Sequence, residues 1–217
     1  ERAADDERPL YLFDKDFCTK FPSMAAEFTI PPYFAEDLMG AALGSDEQRP
    51  NYKWLIMGPP GSGSSFHVDP NANFAWNASI QGRKKWVMYP PGVPPPMDGD
   101  DTRQVSLLRW FQDFYDDDPH EEHRLECITQ PGELMYVPAG WWHCVLNLDL
   151  CVALTHNCVT RDNLLDAVEF LRVDDTCKPG EGCRGDTAFD LDGDVPASVI
   201  YPYDEAVTRG GGTGEEP

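Results

Sequence analysis

The chain has 217 residues, enough for one sizeable core, and its 38 acidic against 17 basic residues give a formal net charge of −21. A field of that sign repels phosphate backbones, so direct nucleic-acid binding is not expected, whereas Lys/Arg-rich protein segments are attracted. No apolar run is long enough to cross a bilayer, so no membrane partner is expected, and Glu1-Arg2-Ala3-Ala4-Asp5-Asp6 has the features of neither a signal nor a transit peptide.

Residues 1–50 read as an N-terminal arm that packs on the domain after it, with Pro31-Pro32-Tyr33-Phe34-Ala35-Glu36-Asp37-Leu38-Met39 as a turn followed by a short amphipathic helix. Over 51–160, short apolar, β-branched and aromatic runs alternate with Gly/Pro turns, the pattern of an all-β sandwich or barrel. Strands are expected near 53–58, 65–69, 74–80, 85–89, 124–130, 133–137, 142–148 and 151–158. An insertion, 91–123, interrupts them; its stretch from Val105 to Tyr115 has the spacing of a short helix whose Trp110 and Phe114 bury against the sheet. His120 and His123 are expected at the surface, and the acidic runs Asp98 to Asp101 and Asp113 to Glu122 in solvated loops.

The segment 161–217 opens with an amphipathic helix, Arg161 to Arg172, with Asp162 or Asn163 as N-cap. It serves either as a homodimerisation helix or as a cover for the barrel end. Residues 174–217 form a Gly-rich acidic tail with a linker-like Gly210-Gly211-Gly212-Thr213-Gly214. Of seven cysteines, Cys127, Cys144, Cys151 and Cys158 lie in apolar strand-like runs and read as buried thiols of a reducing compartment, hence intracellular, nuclear or cytoplasmic. Cys177 and Cys183 read as free thiols, since no further histidine or cysteine nearby completes a zinc set.

Phe66-His67-Val68-Asp69-Pro70 carries the chemistry. Residues i and i+2 of a strand share a face, so His67 and Asp69 present a nitrogen and an oxygen to one point while Val68 turns into a core. His143, in Trp141-Trp142-His143, would complete the two-histidine, one-carboxylate triad of non-haem Fe(II) oxygenases. His156 is expected to face away from Thr155 as a packed or surface histidine, and Trp141 and Trp142 to alternate inward and outward. Asn77-Ala78-Ser79 is a glycosylation sequon by pattern, but burial in a central strand makes it a false positive.

Around the triad stand Gly58-Pro59-Pro60-Gly61-Ser62-Gly63, Ala75-Trp76-Asn77, Gly82-Arg83-Lys84-Lys85-Trp86, Pro131-Gly132-Glu133-Leu134 and Val137-Pro138-Ala139-Gly140-Trp141-Trp142-His143. With them the sequence resembles the JmjC-domain 2-oxoglutarate oxygenases. Pro9-Leu10-Tyr11-Leu12-Phe13-Asp14, Tyr52-Lys53-Trp54 and Gly140 to Asp149 are most similar to its lysyl hydroxylase subfamily, formerly called the phosphatidylserine receptor and also described as an arginine demethylase. The likeness covers most of residues 9–160.

The resemblance implies a mainly β fold, the double-stranded β-helix or cupin-like jelly roll, with flanking helices. It implies Fe(II), 2-oxoglutarate and O₂ as cofactors, with succinate and CO₂ released as a substrate C–H bond is oxidised. It places the cosubstrate lysine at Lys84 rather than Lys85, with Asn77, Thr155, Ser64 and Tyr11 sharing the far carboxylate. Ser64 departs from the subfamily's usual threonine but keeps the hydroxyl. The expected reaction is hydroxylation of a lysine side chain in a basic protein segment. Demethylation of N-methyl arginine or lysine is the alternative, and an inactive cupin-like binding module the alternative of a different class.

Overall fold

Among the residues that the computed structural model describes, 9–39, 51–97 and 105–173, nine strands form two antiparallel sheets. The first runs β1 (Leu12–Asp14), β2 (Lys53–Gly58), β9 (Cys151–Cys158), β4 (Phe74–Gln81), β7 (Leu134–Val137). The second runs β3 (Gly63–His67), β8 (Trp142–Asn147), β5 (Lys84–Tyr89), β6 (Leu125–Thr129). This is the jelly-roll arrangement expected of the chain. Period-two alternation gives each sheet two apolar faces: Trp54, Ile56 and Ala153 of the first and Trp86 and Val145 of the second face the space between the sheets. Trp76, Leu55 and Leu154 pack outward with Phe17, and Val87, Tyr89 and Cys144 pack outward with Leu107 and Trp110.

The arm does more than pack on the domain. Its Leu12-Phe13-Asp14 pairs with Leu55–Met57 and extends the first sheet, followed by helices α1 (Phe17–Lys20) and α2 (Pro22–Glu27). Pro32–Phe34 is a 3₁₀ turn where the sequence suggested the turn preceding a helix, and helical backbone is reached only at Leu38 and Met39. Within the insertion, Ser106 caps helix α3 (Leu107–Asp113), accepting from the Arg109 backbone N–H at 3.4 Å. Trp110 is buried and Phe114 packs on the same cluster, as the stripe required.

Three expectations need correction. Strand β3 stops at His67 rather than running to residue 69, and Val68 is only half-buried; the core residue here is Phe66. The reason is Pro70, which lacks an N–H and opens a 3₁₀ turn, leaving Asp69 extended at φ −61° and ψ 138°. Cys127 is exposed, because β6 is the edge of its sheet and turns most of its side chains outward, whereas Cys144, Cys151 and Cys158 are buried. Nor is the acidic run of the insertion uniformly solvated. The Asp118 side chain is 1% exposed and accepts from the Tyr89 hydroxyl at 2.5 Å and from Arg124 at 3.0 Å. His120 beside it is half-buried, and His123 is exposed as expected.

Helix α4 (Leu164–Val173) follows Asn163, whose carbonyl accepts from the Ala167 N–H at 3.0 Å. The Asn163 side-chain amide donates to the Ala72 carbonyl at 2.8 Å, so the helix start is tied to the turn that follows Asp69. Ala167 is buried against Met39 and Val159, while Leu165 and Val168 are exposed. Cys177, Cys183 and the tail lie outside the described residues, as do Asp98 to Asp101.

Candidate active site

His67 of β3 and His143 of β8 are direct cross-strand partners, with ring centroids 4.1 Å apart. Each ring is oriented the same way: His67 Nδ1 lies 2.8 Å from the Ser65 carbonyl and His143 Nδ1 lies 3.1 Å from the Trp141 carbonyl. A carbonyl can only accept, so both Nδ1 atoms carry the proton and both Nε2 lone pairs are left for a Lewis acid. Those Nε2 atoms stand 3.8 and 3.9 Å from Asp69 Oδ1. The three ligand atoms all lie within 4.8 Å of one another, a group that could hold one metal ion.

Burial sets the charge state of this group. The Asp69 carboxyl is pushed up by desolvation, opposed by the neighbouring His67 and by a hydrogen bond from Asn157. The His143 imidazole is held well below its ordinary range by burial and by His67 beside it. Two imidazole nitrogens and a carboxylate oxygen are the donor set of a non-haem iron site. Of the three, His67 is the most open, its side chain 24% exposed against 5% for His143.

One cavity between the two sheets is lined by the triad and also by Tyr11, Ser64, Asn77, Lys84 and Thr155, so the structure brings all eight expected site residues together. Lys84 is fully buried and donates to the Tyr11 hydroxyl at 3.0 Å. Desolvation lowers its ammonium to about 8 and raises the Tyr11 phenol. Lys85 points outward to Glu126. The tight turn at Gly82 fixes this register: its φ is +75°, and a Cβ there would stand 2.5 Å from the Leu150 carbonyl oxygen. Next to it the Arg83 guanidinium forks onto the two Asp149 oxygens at 2.7 and 3.0 Å. Thr155 uses its hydroxyl on the Trp76 carbonyl at 3.2 Å, and the buried Asn77 side-chain oxygen has no partner among the described residues. Burial of Asn77 between β7 and β9 also disposes of the sequon.

Sequence reasoning missed the supports. Asn157 bonds the Asp69 carboxylate, and Asn147 bonds Tyr11 while donating to Ser62 Oγ at 2.9 Å. Trp86 lies under His143 with the ring planes 28° apart, and Trp141 packs with it, whereas Trp142 turns to the Phe66 cluster. Asn147 was visible within the matched Gly140 to Asp149 segment, but its role depends on an arm strand that no local pattern announces.

A family profile described as a cupin-like domain matches residues 1–158. The chain belongs to this family. Within the cupin-like domain, an arginine-specific demethylase of Arabidopsis thaliana, JMJ22, is 51% identical over 176 residues, which are 78% of this chain and 34% of that protein. The bifunctional arginine demethylase and lysyl-hydroxylase psr-1 of Caenorhabditis elegans is 37% identical over 73% of this chain and 42% of its own length. The human 2-oxoglutarate and iron-dependent oxygenase JMJD4 is 34% identical over 75% of this chain and 40% of its own. The JmjC resemblance read from the motifs is thereby borne out. The chain spans between a third and about two fifths of the length of these three relatives.

Proposed function

We propose that this domain is an Fe(II)- and 2-oxoglutarate-dependent oxygenase that hydroxylates a lysine side chain in a basic protein segment. The observation that carries the reading is the shared cavity: a two-histidine, one-carboxylate group and a buried lysine line one space between two sheets. Ligands of a single ion at about 2.0–2.3 Å lie roughly 3–3.8 Å apart, close to the separations found here. Among the described residues Lys84 is the only lysine or arginine lining the cavity, and a buried ammonium held by one phenol fits the far carboxylate of a 2-keto diacid. The residues fit both cofactors.

His67, Asp69 and His143 would hold the iron, which together with 2-oxoglutarate supplies O₂ activation coupled to decarboxylation. The chain's own work is placement. Lys84 and Tyr11 anchor the carboxylate, and Asn77, Thr155 and Ser64 line the same space as its polar neighbours. Trp86, Val137 and Val145 wall the cavity with apolar surface and limit access by water. The substrate side chain approaches past His67, the most open of the three ligands.

A net charge of −21 supports a Lys/Arg-rich protein or peptide substrate by electrostatic steering. The names of the Arabidopsis and nematode relatives favour a second reading, oxidative demethylation of methylarginine, which needs the same site. The five thiols found free among the described residues support a reducing intracellular compartment, nucleus or cytoplasm. Exposed Leu165 and Val168 on α4 support a homodimer through that helix. A Leu165→Glu chain that sediments like the parent would exclude that dimer.

Incubation with Fe(II), 2-oxoglutarate and a Lys/Arg-rich peptide tests the activity. Succinate release matched by one added oxygen per lysine is expected. Loss of a methyl group from a methylarginine peptide, with no oxygen gained on lysine, would transfer the assignment to demethylation, and no succinate from the folded, iron-loaded protein would end it.

A further inference from the structure

We propose that Asp37, His156 and Cys158 form a second divalent-metal site, of zinc type, on the face of β9 turned away from the cavity. The inference does not depend on the role given to the triad. A carboxylate oxygen, an imidazole nitrogen and the thiol sulfur of these residues all lie within 4.8 Å of one another. Thr155 and Asn157 line the cavity, so the period-two alternation of the strand carries His156 and Cys158 to its other face, where the arm supplies Asp37.

Three observations point to an ion rather than a plain ion pair. First, His156 Nε2 stands 3.8 Å from Asp37 Oδ2, beyond hydrogen-bond distance yet the same separation found within the triad, 3.8 and 3.9 Å. Atoms ligating one zinc at about 2.0–2.3 Å are spaced at roughly 3.3–3.8 Å. Second, the ligands are held in place beforehand. Asp37 Oδ1 accepts from the Met39 and Val159 N–H groups at 3.2 and 3.4 Å, which directs Oδ2 toward His156, and the His156 ring packs on Tyr52 and Trp76 at centroid distances of 4.9 and 5.2 Å.

Third, the donor set is selective. Sulfur with nitrogen suits zinc and excludes the hard cations calcium and magnesium, which take oxygen. His156 and Cys158 are buried, and the Asp37 side chain, 15% exposed, opens the route for the ion. Three protein ligands leave a fourth position for water. Binding takes Cys158 as the thiolate and gives its proton to solvent. The bound ion would clip the arm to the strand that presents Thr155 and Asn157 to the cavity.

Cobalt(II) reports this site apart from the triad, because of the two clusters found among the described residues this one alone includes a sulfur. In an Asp69→Ala chain, titration with Co(II) should raise a thiolate-to-cobalt charge-transfer absorption that saturates at one equivalent and is displaced by Zn(II). The band should vanish in the added Cys158→Ser variant and weaken at least about tenfold in affinity with His156→Ala. No band in the folded Asp69→Ala chain, or a band that survives Cys158→Ser, overturns the proposal. Should Cys158→Ser fail to fold, Asp37→Asn replaces it, and unchanged Co(II) affinity in that variant is equally decisive against the site.

Discussion

His67 and His143 face each other across the β3–β8 pair, and each donates its Nδ1 proton to the carbonyl two residues before it. That shared geometry aims two Nε2 lone pairs at Asp69. Replacing Asp69 by alanine should therefore leave the fold intact, remove a buried carboxylate, and reduce bound Fe(II) and succinate release to background. Iron content and circular dichroism on the same sample check both halves of that expectation.

Lys84 should weigh on the stability of the domain without cosubstrate. Burial lowers its ammonium from 10.5 to about 8, so between these values the unfolded chain holds the proton that the folded chain has lost. Stability contributed at this position then rises with pH from about 8 to 10.5, and the full penalty, about 3 kcal/mol, is present below 8. Lys84→Met should raise the thermal midpoint at pH 7 and raise the apparent KM for 2-oxoglutarate more than about tenfold. Lys85→Ala should change neither KM nor kcat appreciably, because its partner is Glu126 on the outer face.

The same titration predicts a pH dependence of cosubstrate use. As Lys84 loses its proton above about 8, the far carboxylate loses its cation, and the apparent affinity for 2-oxoglutarate should fall by up to about tenfold per pH unit. In Lys84→Met that slope should disappear. A slope retained in the variant would assign the dependence to another group.

Asp118 behaves as a structural charge. With Tyr89 and Arg124 bonded to it and its side chain 1% exposed, Asp118→Ala leaves the Tyr89 hydroxyl without its acceptor while Arg124 keeps Glu126 at 2.6 Å, and should cost about 1–3 kcal/mol in denaturant unfolding. Asp116→Asn and Asp117→Asn, both exposed, should stay within about 0.5 kcal/mol of the parent. This pair is consequently the one to neutralise when testing steering. If the acidic field captures basic peptides, raising ionic strength to about 0.5 M, where the Debye length falls below about 5 Å, should lower kcat/KM and leave kcat nearly unchanged.

What the sequence made legible is what period two encodes. That Lys84 and Lys85, and Thr155 and His156, face opposite ways follows once strands and turns are placed, whereas which of each pair faces the cavity was read from the resemblance. The three-residue strand Leu12–Asp14 is too short to leave a pattern, and Tyr11 was found by resemblance instead. The bonds of Asn157 to Asp69, Asn147 to Tyr11 and Arg124 to Asp118 join residues whose nearness is created by the sheet pairing, so no local spacing reveals them. Cys127 misled because an apolar run on an edge strand reads like one in the core.

The central claim is that one cavity holds iron and 2-oxoglutarate together, and anaerobic spectroscopy tests it most directly. Fe(II) and 2-oxoglutarate added to the metal-free chain should produce a metal-to-ligand charge-transfer absorption that saturates at one equivalent of each. It should be lost in His143→Ala, and in Lys84→Met it should require much more 2-oxoglutarate. A folded chain that binds Fe(II) but gives no such band at saturating 2-oxoglutarate, or one whose band persists in His143→Ala, would contradict the account.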